Sequence, residues 1–94
     1  MILHVAASIH AKPGCEQDLR RALEALVDPS RAEKGCLFYD LHTNNEDPAH
    51  FLFYEAWETA AAWHVHNDAP HIQKHRAANG HLVASADIYQ LTKL

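Results

Sequence analysis

The sequence has no long apolar run, few basic residues and only two cysteines, and each shortage excludes a class of protein. Its apolar stretches fall far short of the roughly 18 residues that a transmembrane helix needs, so no membrane partner is expected. Eight lysines and arginines are scattered among twelve acidic residues. This balance argues against a nucleic-acid groove or an anionic-membrane surface. Cys15 and Cys36 fit no metal or redox spacing, and we expect reduced thiols.

Signals for nucleotide cofactors and for export are missing as well. No glycine-rich phosphate loop and no GxGxxG pattern is present, so neither a nucleotide nor a flavin cofactor is expected. The segment Met1–Val5 has no basic stretch and no cleavage-type site, so we expect no signal peptide. The expected reduced thiols of Cys15 and Cys36 predict a cytoplasmic protein. Histidine, by contrast, is abundant: the nine histidines mean that part of the charge titrates just below neutral pH.

The length of 94 residues predicts one domain, spanning 1–94. A domain of this size buries only a modest fraction of its surface and gains stability from a partner. We therefore expect a globular domain that associates with itself or with another chain.

The first half of the chain switches between two hydrophobic periods. Residues 2–10 alternate and predict a strand, whereas a period of 3.6 residues from Glu16 predicts an amphipathic helix. The apolar stripe of this helix contains Leu19, Ala22, Leu23, Leu26 and Val27. Pro29 either ends the helix or begins a short extra turn around Ser30–Glu33.

The second half predicts a hairpin, two short helices and a last strand. The expected elements are strand 36–42, loop 43–48, strand 50–57, helix 59–66, helix 70–79 and strand 82–93. Thr59 is a candidate N-cap, and Pro70 suits the first position of a helix. The order β-α-β-β-α-β is the α+β, ferredoxin-like arrangement.

The hairpin pattern predicts which side chains share a face of the sheet. If the hairpin folds symmetrically about Glu46, one face carries Leu37, Tyr39, Leu41, Phe51, Phe53, Glu55 and Trp57. Helices cover only one face of such a sheet, and the other face still carries Phe38, Leu52 and Tyr54. Because an apolar face of this kind should not be left in water, we predict a homodimer that buries sheet against sheet.

Two residues stand out as candidates for chemistry. Glu55 lies among aromatic residues, so it is either a pocket carboxylate with a raised pKa or a rim residue that reaches solvent or an arginine. His66 is either an exposed histidine on a short helix or a pocket residue. The second interpretation follows from its spacing of three from Trp63, which places the two side chains on one helix face.

The histidine-rich stretch 64–75 looks like a metal site, but its spacing argues against one. His71 and His75 are four apart, a spacing that lets two imidazoles reach one ion. However, no glutamate lies between them, and His64 and His66 point about 200° apart on a helix. We therefore expect no metal site and no metal cofactor.

Four groups of residues, in order along nearly the whole chain, resemble the antibiotic biosynthesis monooxygenase family. They are Ala11-Lys12-Pro13-Gly14, then Ser30-Arg31-x-Glu33-x-Gly35-Cys36-x-x-Tyr39-x-Leu41-His42, then Tyr54-Glu55-x-Trp57, and finally His66-x3-Pro70-His71. The resemblance implies a dimeric α/β barrel with a pocket between sheet and helices in each subunit. It also implies oxidation of quinols, naphthols or anthrones by O2 with no flavin or metal.

The same family resemblance leaves other reactions open. Related proteins include an isomerase of a phosphorylated autoinducer and haem-degrading enzymes, and a dimer that only binds an aromatic ligand is a further alternative. The haem-degrading relatives carry an asparagine in the first strand, where this chain has Ala6-Ala7-Ser8. A sugar-phosphate substrate would need clustered basic residues, and only Lys74 and Arg76 are near.

These observations lead to a mechanism hypothesis for the expected oxygenase. A phenol or quinol has a pKa of roughly 10, and its anion can give an electron to O2. We assign the base to His66, with Glu55 orienting it or binding the substrate hydroxyl. The predicted aromatic slot consists of Tyr39, Phe53, Trp57 and Trp63. His42 is a further candidate for substrate binding and the second choice for the base.

Overall fold

The computed structural model describes all 94 residues, and its four strands form one antiparallel sheet in the order β2-β3-β1-β4. The elements are β1 Leu3–Ala11, α1 Glu16–Glu24, α2 Val27–Arg31, β2 Cys36–Asn44, β3 Asp47–Trp57, α3 Ala60–Asn67, α4 Pro70–Asn79, a 3-10 turn Gly80–Leu82 and β4 Val83–Leu91. This is the predicted α+β, ferredoxin-like fold. None of the helices has the length and apolar character needed to cross a bilayer.

The core lies between one face of the sheet and the helices. Its most deeply buried members are Val5, Leu19, Leu23, Phe51 and Trp57. The two leucines belong to the apolar stripe predicted for the first helix. The aromatic residues of β3 on this face, Phe51, Phe53 and Trp57, are all buried, so the sheet and helices enclose the region between them.

The segment predicted as one helix from Glu16 to Pro29 forms two helices in the structure, so this part of the prediction is wrong. α1 ends at Glu24, and α2 begins at Val27 and contains Pro29 as its third residue. A proline is tolerated there because the backbone N–H groups of a first helical turn have no partner within the helix. The short α2 carries Ser30, which is completely buried, toward the other helices.

The expected loop 43–48 is wrong, because the two strands continue almost to the tip of the hairpin. Only Asn45 and Glu46 lie outside them. The Asn44 side-chain oxygen accepts a hydrogen bond from the Glu46 N–H at 2.9 Å, a local interaction that stabilises a turn. The pairing shifts register between Thr43 and Asn44, so the extra residues form a bulge rather than a loop.

The predicted faces are correct for most of the hairpin. Tyr39 pairs with Glu55 and Leu41 with Phe53, so these residues point to the helices. Leu37 is the exception: a register shift between Cys36 and Phe38 leaves Leu37 47% exposed. No helix covers the opposite face, where Leu52, Tyr54, Tyr89 and Leu91 are each at least one third exposed.

A glycine turn brings the end of α2 against α3. Gly35 has a φ of +89°, and a Cβ there would lie 2.7 Å from the Ala62 Cβ. The Gly35 carbonyl also accepts a hydrogen bond from the Glu58 N–H at 2.8 Å. Only glycine combines the positive φ with this close approach, which sets Glu33 next to α3.

Candidate active site

A small, mostly apolar pocket lies between the sheet and the helices. Its volume is about 170 Å³, below the roughly 300–1,000 Å³ of pockets for drug-sized ligands. Residues from all four strands and from the helices on one side of the sheet line it: Val5, Ala7, Ile9, Leu23, Leu26, Tyr39, Phe53, Glu55, Trp63, His66, Asn67, Ile72, His75, Arg76, Val83, Ala86 and Ile88. Ile88 of β4 is 57% exposed, so the pocket is accessible from this edge of the sheet.

Glu55 is a buried carboxylate on the floor of the pocket, with 4% of its surface exposed. The indole Nε1–H of Trp57 donates to its Oε1 at 3.0 Å. The other carboxylate oxygen, Oε2, makes no hydrogen bond. Every fully buried side-chain nitrogen or oxygen atom in the protein has a hydrogen-bond partner, so an atom without a partner is not fully buried. The second oxygen of Glu55 is therefore accessible and can accept a hydrogen bond from a bound molecule.

The surroundings of Glu55 hold its carboxyl group close to half-protonated at neutral pH. Burial raises the pKa of Glu55 to about 7, the hydrogen bond from Trp57 opposes this, and the charge of Glu33 adds to it. A carboxylate with a pKa near the working pH is well matched to general-base catalysis. The predicted pocket carboxylate is thus present in the structure.

His66 is also buried, with its ring 4.6 Å from that of Trp57 and 5.3 Å from that of Tyr39. Its Nδ1 lies 2.5 Å from the Glu33 Oε2. Burial lowers the pKa of His66, and the hydrogen bond with Glu33 acts in the opposite direction. The Nε2 atom makes no hydrogen bond and by the same argument is not fully buried, and His66 is one of the residues that line the pocket.

Aromatic rings form the remaining wall. The rings of Tyr39 and Phe53 lie 4.7 Å apart, and Trp63 closes the side formed by α3. Burial and the charge of Glu55 raise the pKa of Tyr39, with a hydrogen bond from Ser30 opposing them, so the phenol remains neutral. The wall therefore supplies flat apolar surfaces and one neutral hydroxyl group.

The structure brings five of the seven sequence-predicted site residues to this pocket: Tyr39, Phe53, Glu55, Trp63 and His66. Trp57 is completely buried behind Glu55 and His66 and supports both. His42 is not brought to the pocket. Its side chain is exposed near the tip of the hairpin and lines a separate cavity with Arg20 and Arg31.

Sequence reasoning missed the polar cluster on the other side of His66. Glu33 lies 33 residues before His66, and the His71 Nε2 lies 3.6 Å from the Glu33 Oε2. The Ser30 Oγ is 3.0 Å from the same His71 nitrogen. No periodicity links these residues, because a short helix, a turn and two separate helices bring them together.

The same cluster contains the protein's candidate metal ligands. One ligand atom each from Glu33, His66 and His71 lie within 4.8 Å of one another. His75, which the sequence suggested as a partner of His71, instead hydrogen-bonds with Asn79 at 3.2 Å and lines the pocket. His64 is exposed on the opposite side of α3 from His66, as the helical spacing predicted.

Comparison with known proteins agrees with the fold and assigns the chain to a family. The sequence profile described as antibiotic biosynthesis monooxygenase matches residues 2–78. A crystal structure of PA3566 from Pseudomonas aeruginosa superimposes with a TM-score of 0.95 at 41% identity, covering 99% of this chain and 94% of that one.

Two curated relatives show the range of the similarity. "Putative monooxygenase Rv0793" from Mycobacterium tuberculosis is 33% identical over 84% of this chain and 77% of its own length. Its solved structure has a TM-score of 0.92 and covers 100% of this chain and 96% of that one, at 28% identity. "Uncharacterized protein sll1783" from Synechocystis is 30% identical over 74% of this chain, which spans only 48% of that protein.

Proposed function

The chain belongs to the antibiotic biosynthesis monooxygenase family, and from this premise we propose that it oxidises a small electron-rich phenol or quinol with O2. The reaction would use the pocket lined by Glu55 and His66. The proposal includes no flavin and no metal. The pocket volume of about 170 Å³ favours a substrate of one or two fused aromatic rings.

The observation that carries the proposal is the buried carboxylate of Glu55. Its accessible oxygen opens on an apolar pocket, and its pKa of about 7 leaves a large fraction ionised at neutral pH. A structural role alone would be served better by an uncharged residue, because burying a carboxylate costs free energy. Pocket carboxylates with raised pKa values are typical of acid–base sites.

The first chemical step would be removal of the hydroxyl proton of the substrate. The phenol has a pKa of roughly 10 in water, so a base of pKa about 7 can take its proton when the anion is formed in the pocket. We favour Glu55 over His66 as this base, because burial lowers the basicity of His66. His66 would then accept or donate a hydrogen bond at the second substrate oxygen.

The overall reaction balances without an added reductant. A hydroquinone and O2 give a hydroxyquinone and water: one oxygen atom enters the ring, and the other leaves as water. The substrate supplies all four electrons, two from its oxidation to the quinone and two from ring hydroxylation. The protein therefore needs to supply only a base, a dry aromatic slot and correct orientation.

Oxygen uptake by chelator-treated protein with a panel of hydroquinones and naphthols tests the proposal. We expect uptake of one O2 per substrate, with one labelled atom from ¹⁸O2 in the product. Quenching of tryptophan fluorescence without uptake would instead indicate a binding protein. Turnover that required an added metal ion would contradict the metal-free mechanism.

Matched variants distinguish the two candidate bases. Replacement of the true base should lower turnover by roughly 10²–10⁴-fold, so Glu55→Gln and His66→Ala are compared. His64→Ala is the control, since His64 is exposed on the same helix and does not line the pocket. Circular dichroism checks folding, because His66 is buried. Equal small effects of all three variants would exclude both assignments.

A further inference from the structure

We propose that Glu33, His66 and His71 form a binding site for a divalent transition-metal ion, with Zn²⁺ as the representative ion. The site lies on the outer side of His66, away from the aromatic pocket. It goes beyond the proposed oxidation, which needs no metal, and it does not depend on that oxidation.

The ligand set has the composition that such ions prefer. Two imidazoles and one carboxylate are typical ligands of Zn²⁺ and of its first-row neighbours, whereas Mg²⁺ and Ca²⁺ prefer oxygen ligands. The three ligands come from three different elements: the turn after α2, the helix α3 and the helix α4. Since the fold fixes these elements relative to one another, the ligands are assembled before any ion arrives.

The separations between the three ligand atoms are close to those that a bound zinc ion requires. Zinc lies 2.0–2.2 Å from its nitrogen and oxygen ligands, so two ligands of a tetrahedral site are about 3.3 Å apart. The Glu33 Oε2 lies 2.5 Å from the His66 Nδ1 and 3.6 Å from the His71 Nε2. The third separation is within 4.8 Å. Small side-chain rotations at Glu33 and His71, with release of the hydrogen bond between Ser30 and the His71 Nε2, would accommodate the ion.

An open cleft gives the ion a path and leaves room for a water ligand. Glu33 and His71 line this cleft together with Pro29, Ala32, Val65, Asp68, Ala69 and Pro70. The Asp68 carboxylate adds negative charge at the entrance. Arg76 opposes cation binding from the pocket side, where its charge already lowers the pKa of His66. Three protein ligands and an open position distinguish such a site from the closed structural zinc sites, which have four protein ligands.

A competing histidine pair on the open face of the sheet is a poorer site. The rings of His10 and His50 stack at 4.1 Å. No carboxylate joins this pair within ligand distance, whereas Glu33 joins His66 and His71. If zinc bound to His10 and His50 instead, substitutions at Glu33 or His71 would not change its affinity.

Occupancy would have a chemical consequence inside the pocket. An ion on the Nδ1 of His66 displaces the proton that Nδ1 shares with Glu33, and a neutral imidazole then carries its proton on Nε2. Nε2 is the nitrogen accessible to the pocket. Metal binding would therefore change this atom from a hydrogen-bond acceptor to a donor.

Calorimetric titration of the whole, chelator-treated protein with Zn²⁺ tests the site without any substrate. We expect one ion per chain, and Co²⁺ should give the visible absorption of a tetrahedral nitrogen–oxygen site. His71→Ala and Glu33→Gln should each weaken Zn²⁺ binding at least tenfold, whereas His75→Ala on the same helix should change it less than twofold. Circular dichroism verifies that each variant folds.

Three outcomes would overturn the site. The first is no binding at 100 µM Zn²⁺, and the second is undiminished binding to His71→Ala, which would place the ion on other histidines. The third is equal weakening by His75→Ala, which would indicate the two-histidine alternative on α4. Because no turnover is measured, failure of this site and failure of the proposed oxidation are separate results.

Discussion

The carboxyl group of Glu55 should make the protein less stable as the pH rises, and the substitution Glu55→Gln should remove this effect. Glutamine has nearly the same shape, and its side-chain oxygen can still accept the hydrogen bond that Trp57 donates to Glu55. The variant therefore removes the ionisation of the buried group while keeping its packing.

The magnitude follows from the pKa values. Glu55 titrates at about 7 in the folded protein, against an ordinary value of 4.5 that represents the unfolded chain. Each pKa unit corresponds to 1.36 kcal/mol, so the difference amounts to roughly 3 kcal/mol. Because Glu55 is 4% exposed, solvent screening reduces this figure little.

The direction follows from proton linkage. The folded state holds the proton of Glu55 more tightly than the unfolded state, so stability falls with pH wherever the folded state binds more protons. The favourable contribution is complete below pH 4.5 and is lost as the pH rises through about 7. Glu55→Gln should thus match the wild type at pH 4.5 and exceed its stability by roughly 3 kcal/mol at pH 8.

Urea unfolding from pH 4.5 to 8.5, at one protein concentration, measures this difference. The other groups that line the pocket or act on Glu55, namely Glu33, Tyr39, His66, His75 and Arg76, are common to both proteins and cancel to first order. Parallel stability curves for the two proteins would refute the reasoning and show that Glu55 titrates normally. Greater stability of the wild type at high pH would show that its charge is compensated.

Three further predictions concern turnover, the glycine turn and the open face of the sheet. If Glu55 is the base, kcat/KM should rise about tenfold per pH unit below about 7 and level off above it; a flat profile from pH 5 to 9 would exclude it. Gly35→Ala should destabilise the protein by about 2–4 kcal/mol, because it combines positive-φ strain with a contact 2.7 Å from the Ala62 Cβ. Gly14→Ala is the control: Gly14 has a φ of +85° but no atom within 4 Å of an added Cβ, so the variant should lose only about 1–2 kcal/mol in thermal or urea unfolding. Similar losses for the two variants would mean that α3 moves aside. We also propose a homodimer that covers the open face, so Leu52→Glu should convert it to monomers by burying an unpaired charge; a wild-type mass of 10.6 kDa by light scattering would contradict this.

Periodicity predicted the parts of the fold that local sequence determines. The alternation of β1 and β3 and the leucine stripe of α1 reflect which side chains face the core, and this is encoded within a few residues. Thr59 caps α3 as predicted, since its Oγ1 accepts the Ala62 N–H at 3.1 Å. Pro70 begins α4, also as predicted.

The prediction failed at both ends of the hairpin, where side-chain hydrogen bonds and register shifts determine the backbone conformation. The polar run at 43–48 predicts a loop. In the structure the Asn44 side chain accepts the Glu46 N–H within a two-residue turn, and the Asp47 side chain accepts the Ala49 N–H at the start of β3. The register shift after Cys36 turned Leu37 outward, and no alternation pattern reveals a single inserted residue. Such details depend on pairing between strands rather than on local preference.

The candidate site was predictable only in part, for the same reason. Glu55 and His66 could be named because aromatic residues adjoin them in sequence. Glu33 could not, because its contact with His66 depends on Gly35, whose close approach to Ala62 fixes the turn against α3. A long-range contact of this kind leaves no periodic signal, and the sequence therefore predicted the pocket without the polar cluster behind it.

The position of His66 between the dry pocket and the polar cluster links the two proposals. Its Nδ1 faces Glu33 and the open cleft, and its Nε2 is accessible from the pocket. An ion on Nδ1 would place a proton on Nε2 and would also bring positive charge toward Glu55. The charge would make Glu55 a weaker base, and a protonated Nε2 could no longer accept a hydrogen bond from the second hydroxyl group of the substrate. Turnover should therefore fall as Zn²⁺ is added, with half-inhibition at the dissociation constant measured by calorimetry. Inhibition only at concentrations far above that constant would show that the ion and the reaction do not share His66.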